Sequence, residues 1–238
     1  MEILTILGDS LSLRRAENEI FEKDIYSFLL QEKIKNTIFI INKSQANNTS
    51  EIQNSFESFI CNIKGAQSRF FVIQLGIVDC APRLFKKRTK QILDLLSGIP
   101  IIRNLSSYYI KYKSANRLKI TKRKLIREVS PKQFDSNIRS IIEKIKNNNP
   151  IKKIWLINIA YPGDYLQNRS FGIIEIINEY NAILEKIRKD NKTLIDIIDV
   201  YSFTSSNPSF ILPDGHHITV DVHKFIASEI YKHFVDIL

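Results

Sequence analysis

Five short apolar runs, rich in β-branched and aromatic residues, constrain the fold of this chain more than any other feature. They lie at residues 3–7, 37–41, 70–75, 154–159 and 194–200. Each run has the length and composition of a buried strand. Longer segments with helical spacing separate them, such as residues 18–34 and 173–189. Because strands that alternate with helices pair in parallel, the pattern predicts an α/β fold with a doubly wound sheet.

The composition is that of a folded globular protein. The chain has 238 residues, of which 44% are hydrophobic and 25% are charged, and we expect one domain over residues 1–238. The first residues show no basic region followed by a long apolar run and a small-residue cleavage site, and no apolar stretch reaches about 18 residues. We therefore expect a cytoplasmic location. Cys61 and Cys80 lack metal-ligand spacing, so we expect reduced structural thiols.

The positive charge is concentrated in one part of the chain. Residues 83–127 contain 14 Lys or Arg and a single acid, Asp94, whereas the whole chain has a net charge of +10. We interpret residues 103–130 as a basic insertion between the third and fourth strands. It is either a solvated face or a platform for an anionic glycan, a phosphate-bearing carrier or a membrane surface. Nucleic acid is disfavoured because no nucleic-acid-binding motif is present.

Ser10 follows the first predicted strand, in the stretch GDSLS, and two interpretations of it are open. It is either a helix N-cap or a nucleophile, which needs an adjacent base to take its proton. His217 supplies a candidate base, and Asp214 precedes it by three residues in PDGHH, just before the last predicted helix. A carboxylate at this spacing can orient the imidazole ring, so the combination favours the nucleophile.

These two motifs carry a resemblance to a known family. GDSL at residues 8–11 and Asp-x-x-His at residues 214–217 resemble the first and last blocks of the SGNH (GDSL) hydrolases, and the predicted order of elements agrees over nearly the whole chain. The resemblance implies a flavodoxin-like three-layer α/β/α sandwich with a five-stranded parallel sheet. It also implies that Ser10 is the nucleophile, His217 the base and Asp214 the orienting acid.

The middle blocks depart from the family pattern. NKSQANNTS at residues 42–50 places Ser44 and Asn47 where the family has glycines, and GIVD at residues 76–79 places Val78 where it has the asparagine that helps to hold the oxyanion. We therefore expect the oxyanion and substrate contacts to come from other residues in the strand-end loops. The candidates are Ser44, through its backbone N–H, Gly76, Arg83 and Asn158.

The resemblance implies a serine-dependent esterase that removes O-acyl groups, in particular acetyl, from a carbohydrate or a related small ester. LGIVDCAPR at residues 75–83 is similar to SGNH proteins found among bacterial surface-polysaccharide genes, which motivates the carbohydrate. One alternative is an acyltransferase that modifies a surface-polysaccharide intermediate. Another, motivated by Val78, is a weakly catalytic or non-catalytic scaffold that binds an anionic partner through the basic segment. No glycine-rich phosphate loop or metal motif occurs in the sequence, so we expect neither a cofactor nor a metal.

Overall fold

The five predicted strands form one parallel sheet. The computed structural model describes residues 2–35, 37–96 and 100–235. The strands are β1 (Glu2–Gly8), β2 (Ile38–Asn42), β3 (Phe70–Gln74), β4 (Lys153–Ile157) and β5 (Ile195–Ile198). They pair in the order β2-β1-β3-β4-β5, with every pair parallel. The predicted flavodoxin-like sheet is confirmed, and this order places the chemistry at the carboxyl ends of the strands.

Helices surround the sheet, and their bounds complete the architecture. No helix formed by the described residues is both long enough and apolar enough to span a bilayer. The helices are α1 (Tyr26–Lys33), α2 (Ser50–Gln53), α3 (Phe56–Ser58), α4 (Ile77–Cys80), α5 (Lys87–Leu96), α6 (Pro100–Ala115), α7 (Arg117–Arg123), α8 (Pro131–Asn148), α9 (Asp164–Gln167), α10 (Ile173–Asp190), α11 (Val200–Ser205) and α12 (Val220–Val235).

Alternate side chains of each strand enter two cores, one on each face of the sheet. From β3, Phe71 and Ile73 pack on the face that α8 and α10 cover. Phe70 and Val72 pack on the opposite face, against α1 and α12. This is the period of two that a strand imposes on its side chains. Both faces of the sheet are therefore covered, as the apolar runs predict.

The first predicted helix is wrong over its first half. The spacing predicts a helix over residues 18–34, whereas α1 begins at Tyr26. The preceding residues form two short 3-10 turns, and Glu19 between them has a left-handed backbone with φ of 59°. Ile20 and Ile25 flank the second of these turns, and both side chains are buried. They satisfy the apolar spacing without a continuous helix.

The basic segment, residues 103–130, is largely helical. It forms most of α6 and α7, between β3 and β4. Ser130 then caps α8 by accepting a hydrogen bond from the Gln133 N–H at 3.3 Å, with Pro131 at the first helical position. That cap confirms the predicted start of the core helix.

Candidate active site

Ser10 lies immediately beyond β1, on a turn that its neighbour holds. The Asp9 N–H donates to the Gln74 carbonyl of β3 at 3.2 Å. The Asp9 carboxylate accepts from the Leu11 N–H at 2.8 Å and caps the 3-10 turn Ser10–Ser12. Asp9 is therefore the capping residue, and the hydroxyl of Ser10 is free for another partner.

That partner is His217, which a tight loop carries to the same edge of the sheet. A β-bridge between Ile211 and Ile218 closes the loop, and the Leu212 N–H donates to the His217 carbonyl at 2.7 Å. Gly215 at the tip has φ of +83°, and a Cβ there would lie 2.5 Å from the Leu166 backbone nitrogen. Only glycine fits this turn without displacing its neighbours.

Three side chains form a continuous hydrogen-bonded chain. The Ser10 Oγ lies 3.0 Å from Nε2 of His217, and Nδ1 of the same ring lies 2.6 Å from the Asp214 carboxylate. The other carboxylate oxygen accepts from the backbone N–H groups of His216 and His217, each at 3.0 Å. With its Nδ1 proton directed at Asp214, the ring presents a lone pair to Ser10. This is the geometry of a nucleophile, a base and an orienting acid.

The surroundings keep Asp214 ionised. Burial raises the pKa of this carboxyl, but the hydrogen bonds from the His217 ring and from two backbone N–H groups outweigh burial and hold the pKa well below its usual range. Burial, followed by the proximity of His217, lowers the pKa of His216. A permanently ionised Asp214 stabilises the imidazolium that forms when His217 takes a proton.

Asp214, His216 and His217 also offer three potential metal-ligating atoms within 4.8 Å of one another, a grouping that the sequence spacing did not predict. The Asp214 carboxylate and Nδ1 of His217 already satisfy each other at 2.6 Å. Nε2 of His217 faces Ser10. This pairing favours proton transfer over metal ligation.

Ser10 opens into a cavity of about 390 Å³ at the carboxyl edge of the sheet. Among the other predicted site residues, Asp214, His217 and Arg83 also line it. Val78 lines it as well, at the position where an amide donor was missing from the sequence pattern. The structure therefore brings the candidate nucleophile, base, acid and one candidate substrate contact into a single space.

Two predicted contacts lie elsewhere. The Ser44 N–H donates to the side-chain oxygen of Asn42 at 3.0 Å, and Ser44 is not among the residues that line the cavity. Asn158 donates to Asp199 at 2.8 Å and accepts from the Tyr201 N–H at 2.9 Å, in a separate cavity. Local side-chain partners therefore already engage both of these groups.

Arg15, Asn47, Arg117 and Arg169 are among the cavity-lining residues that were missed as site residues. Asn47 had a usable signal, since it replaces a glycine and adopts a left-handed backbone with φ of 62°. The arginines had none, because separate loops and helices bring them to the cavity. Arg15 donates to Nε2 of His217, the atom that Ser10 also approaches.

Comparison with known proteins identifies the architecture. No protein-family model and no curated protein matches the chain. Solved structures do match it. A lipase/acylhydrolase from Enterococcus faecalis superposes with a TM-score of 0.65 at 16% identity, over 98% of this chain and 95% of that one. The acetylxylan esterase Axe2 from Geobacillus stearothermophilus gives 0.62 at 15%, over 97% and 93%. A member of the lipolytic G-D-S-L family from Veillonella parvula gives 0.61 at 11%, over 99% of each chain.

The chain has the SGNH (GDSL) hydrolase fold. Within this fold Gly76 has a structural role: its φ is +137° and a Cβ there would lie 2.6 Å from Cδ1 of Ile159. It begins the short helix α4, which holds Val78 at the cavity. Gly76 therefore shapes the loop, and the side chain two residues later contacts the cavity.

Two buried carboxyls lie next to the turn that carries Ser10. Burial raises the pKa of Asp9 to about 7, opposed by the Leu11 N–H and reinforced by Asp79. Burial likewise raises the pKa of Asp79 to about 6, although the Ser50 hydroxyl and N–H lower it. One oxygen of each carboxyl is buried without a hydrogen-bond partner. Because ionisation of either group is unfavourable in the folded state, each lowers stability as the pH rises from about 4 to about 7.

We therefore predict that Asp9→Asn increases the free energy of unfolding near pH 7.5 by on the order of 1–3 kcal/mol, with little change near pH 4. The asparagine keeps the oxygen that accepts from the Leu11 N–H but has no charge to desolvate. Urea unfolding at both pH values measures this difference. Asp164→Asn, at an exposed aspartate, serves as the matched control. Equal effects of Asp9→Asn at the two pH values would refute a pH-linked origin.

A second prediction concerns Arg15. Because its guanidinium donates to Nε2 of His217, it competes with the Ser10 proton for the same lone pair. It also opposes the positive charge that develops on the ring. Arg15→Gln is expected to raise the initial rate at which a fluorophosphonate labels Ser10 by about threefold to tenfold. Arg14→Gln, at an exposed neighbour that pairs with Glu22, is the control. Slower labelling of Arg15→Gln than of the native protein would show that Arg15 assists the base.

Proposed function

We propose that this chain is a serine-dependent ester hydrolase. The observation that carries the proposal is the 3.0 Å approach of the Ser10 hydroxyl to Nε2 of His217, in a ring held by Asp214 at 2.6 Å. A serine hydroxyl becomes a competent nucleophile when such a base takes its proton. A further support is that Ser10, Asp214 and His217 line an open cavity, which an ester can enter.

The reaction follows from these positions. Ser10 Oγ attacks the ester carbonyl while Nε2 of His217 takes its proton, giving a tetrahedral intermediate. As that intermediate collapses, the bond to the alcohol oxygen breaks and His217 returns the proton to that oxygen. The acyl group then remains on Ser10. Water then attacks the acyl-enzyme while the same nitrogen takes its proton. When the bond between the acyl carbon and Ser10 Oγ breaks, His217 returns that proton to Oγ, and the carboxylic acid leaves.

The oxyanion requires donors, and we assign the backbone N–H groups of Ser10 and Asn47 to it. Asn47 supports this assignment because it lines the cavity with Ser10 and holds the left-handed backbone of the glycine it replaces. Val78 contributes no amide. The proposed oxyanion hole therefore has two donors, whereas the family pattern adds a third from the asparagine that Val78 replaces. Each such donor contributes about 100- to 1000-fold to the rate.

The substrate class that we propose is an O-acetylated carbohydrate. Two of the solved structures that share the fold are acetylxylan esterases by name, one from Geobacillus stearothermophilus and one called AlAXEase. A cavity of about 390 Å³ has the size of a small-molecule site. The link to surface polysaccharides and the cytoplasmic location stay predictions from the sequence.

Acyl transfer is a second candidate, and one observation favours it. A further cavity of about 480 Å³ shares Asn47, Val78, Arg83 and Arg117 with the catalytic cavity. It offers room for an acceptor sugar whose hydroxyl replaces water in the second step. The exposed face of the basic segment, including Tyr108 and Lys111, is a separate predicted platform for an anionic glycan, a phosphate-bearing carrier or a membrane surface.

The proposal predicts that a fluorophosphonate probe labels the native protein once and that the label maps to Ser10. Ser10→Ala and His217→Ala should both lose labelling, because one lacks the attacking oxygen and the other lacks the base. Intact-mass analysis measures the stoichiometry. His233→Ala, on α12 and outside this cavity, should keep the label. Folded native protein that stays unlabelled would favour the non-catalytic scaffold.

Val78→Asn tests the oxyanion hole. Restoring an amide at the cavity wall should raise kcat on 4-nitrophenyl acetate by about tenfold or more, since a missing donor typically costs more than that. Val78→Leu changes the side-chain size without adding a donor and serves as the control. No gain in Val78→Asn, in a protein as stable as Val78→Leu, would mean that another group already donates to the oxyanion.

A further inference from the structure

The catalytic cavity is strongly basic. Four of the described residues that line it are arginines, and Asp214 is the one acidic residue among the described lining residues. Arg15 already has an acidic neighbour, because it pairs with Glu17 at 3.0 Å. We call the other three arginines the arginine cluster: Arg83, Arg117 and Arg169.

Oxygens of the backbone and of serines hold this cluster in place, without carboxylates. Arg83 donates to the Val78 carbonyl at 2.7 Å. Arg117 donates to the Pro82 carbonyl and to the Ser170 hydroxyl. Among the described residues, no carboxylate lies within 4.0 Å of any of the three guanidinium groups. These contacts therefore hold the three guanidinium groups in position without using a carboxylate of the described residues within 4.0 Å.

Arg169 joins the cluster from the loop after α9, which follows β4 in the chain. Its guanidinium donates to the Ser114 hydroxyl of α6 at 2.7 Å and lies 5.0 Å from the centre of the Tyr165 ring. These contacts tie the loop after α9 to the basic segment. In the same cluster, Nε of Arg83 is buried and has no hydrogen-bond partner. At least one donor in the cluster is thus unsatisfied by the protein itself.

The three charges repel one another. Burial lowers the pKa of Arg117, and the charges of Arg169 and Arg83 lower it further. Holding like charges together in a partly buried wall is unfavourable unless an opposite charge offsets them. Such an arrangement raises the local concentration of anions and binds them by charge-assisted hydrogen bonds. The planar guanidinium fork suits the paired oxygens of a carboxylate or a phosphate.

We propose that the enzyme acts on an ester that also carries an anionic group, a carboxylate or a phosphate, and that the arginine cluster holds this group while Ser10 attacks the carbonyl. This inference rests on the proposed hydrolase function and specifies its substrate class. Arg83 and Arg117 line both the catalytic cavity and the adjoining cavity of about 480 Å³. The anion therefore lies on the alcohol side of the ester, between the acyl site and the space for the remainder of the alcohol.

The test uses two acetyl esters of similar size and different charge, 4-acetoxybenzoate and its methyl ester. Each kcat/KM is divided by the rate of hydrolysis in hydroxide, which removes the difference in leaving group. The native protein should prefer the carboxylate by about tenfold or more. That preference should fall between about 0.05 and 0.5 M salt, because screening weakens the attraction. 4-Acetoxyphenyl phosphate is the second anionic probe, and whichever anion is preferred identifies the source.

Variants locate the preference. In Arg117→Gln the ratio of carboxylate to methyl ester should fall by about tenfold, and in Arg117→Lys by less, because the charge remains but the fork is lost. Arg123→Gln removes an exposed charge of the same segment that lines neither cavity, and its ratio should match that of the native protein. Arg169→Gln provides a second variant if Arg117→Gln does not fold.

The outcomes separate this inference from the function on which it rests. If the native protein hydrolyses both anionic esters no better than the methyl ester, and salt has no effect, the anionic substrate is refuted while the hydrolase stands. If Arg123→Gln loses the preference as fully as Arg117→Gln, a diffuse surface charge replaces the cluster and the assignment is overturned. If the native protein turns over none of the esters, the proposed hydrolase function itself fails.

Discussion

The hydrogen bond between Ser10 and His217 joins residues that lie 207 positions apart, and the chemistry of the chain depends on it. It forms because β1, an interior strand between β2 and β3, ends at Gly8, and because a short bridge between Ile211 and Ile218 holds the loop of Asp214 at the same edge of the sheet. The two cores that cover the sheet fix both anchor points. Catalytic geometry is thus a consequence of packing far from the reacting atoms.

The five strands and their parallel pairing could be predicted from the sequence because each apolar run is a local signal, whereas the strand order came from the resemblance to the SGNH hydrolases. Ser10, Asp214 and His217 also lie in local motifs, and their catalytic roles stay predictions. Apolar runs specify buried strands, and the parallel sheet brings their carboxyl ends together. The first half of the helix predicted at residues 18–34 failed, since apolar spacing does not distinguish a helix from two turns that bury Ile20 and Ile25. No local pattern reveals the contacts within loops either: the Ser44 N–H donates to Asn42, and Asn158 donates to Asp199.

The positive charge of the arginines that line the cavity could not be predicted from the sequence, because it depends on tertiary structure alone. Arg117 lies on α7 and Arg169 lies after α9, and each is an ordinary basic residue in the sequence. The fold places them beside Arg83, and among the described residues no carboxylate lies within 4.0 Å of these three guanidinium groups. Their charges therefore produce a positive electrostatic potential at the cavity. The electrostatics also separates two sets of carboxyls, since hydrogen bonds keep Asp214 ionised whereas burial favours the neutral form of Asp9.

The central claim is that Ser10 forms a covalent acyl intermediate. The most direct measurement is to mix the protein with 4-nitrophenyl acetate, quench with acid during turnover, and map acetyl groups by peptide mass spectrometry. We expect one acetyl group on the peptide that contains Ser10. This acetyl group should disappear when the substrate is exhausted and should be absent in His217→Ala. Acetylation confined to lysines, or an equal yield on Ser10 in His217→Ala, would contradict it.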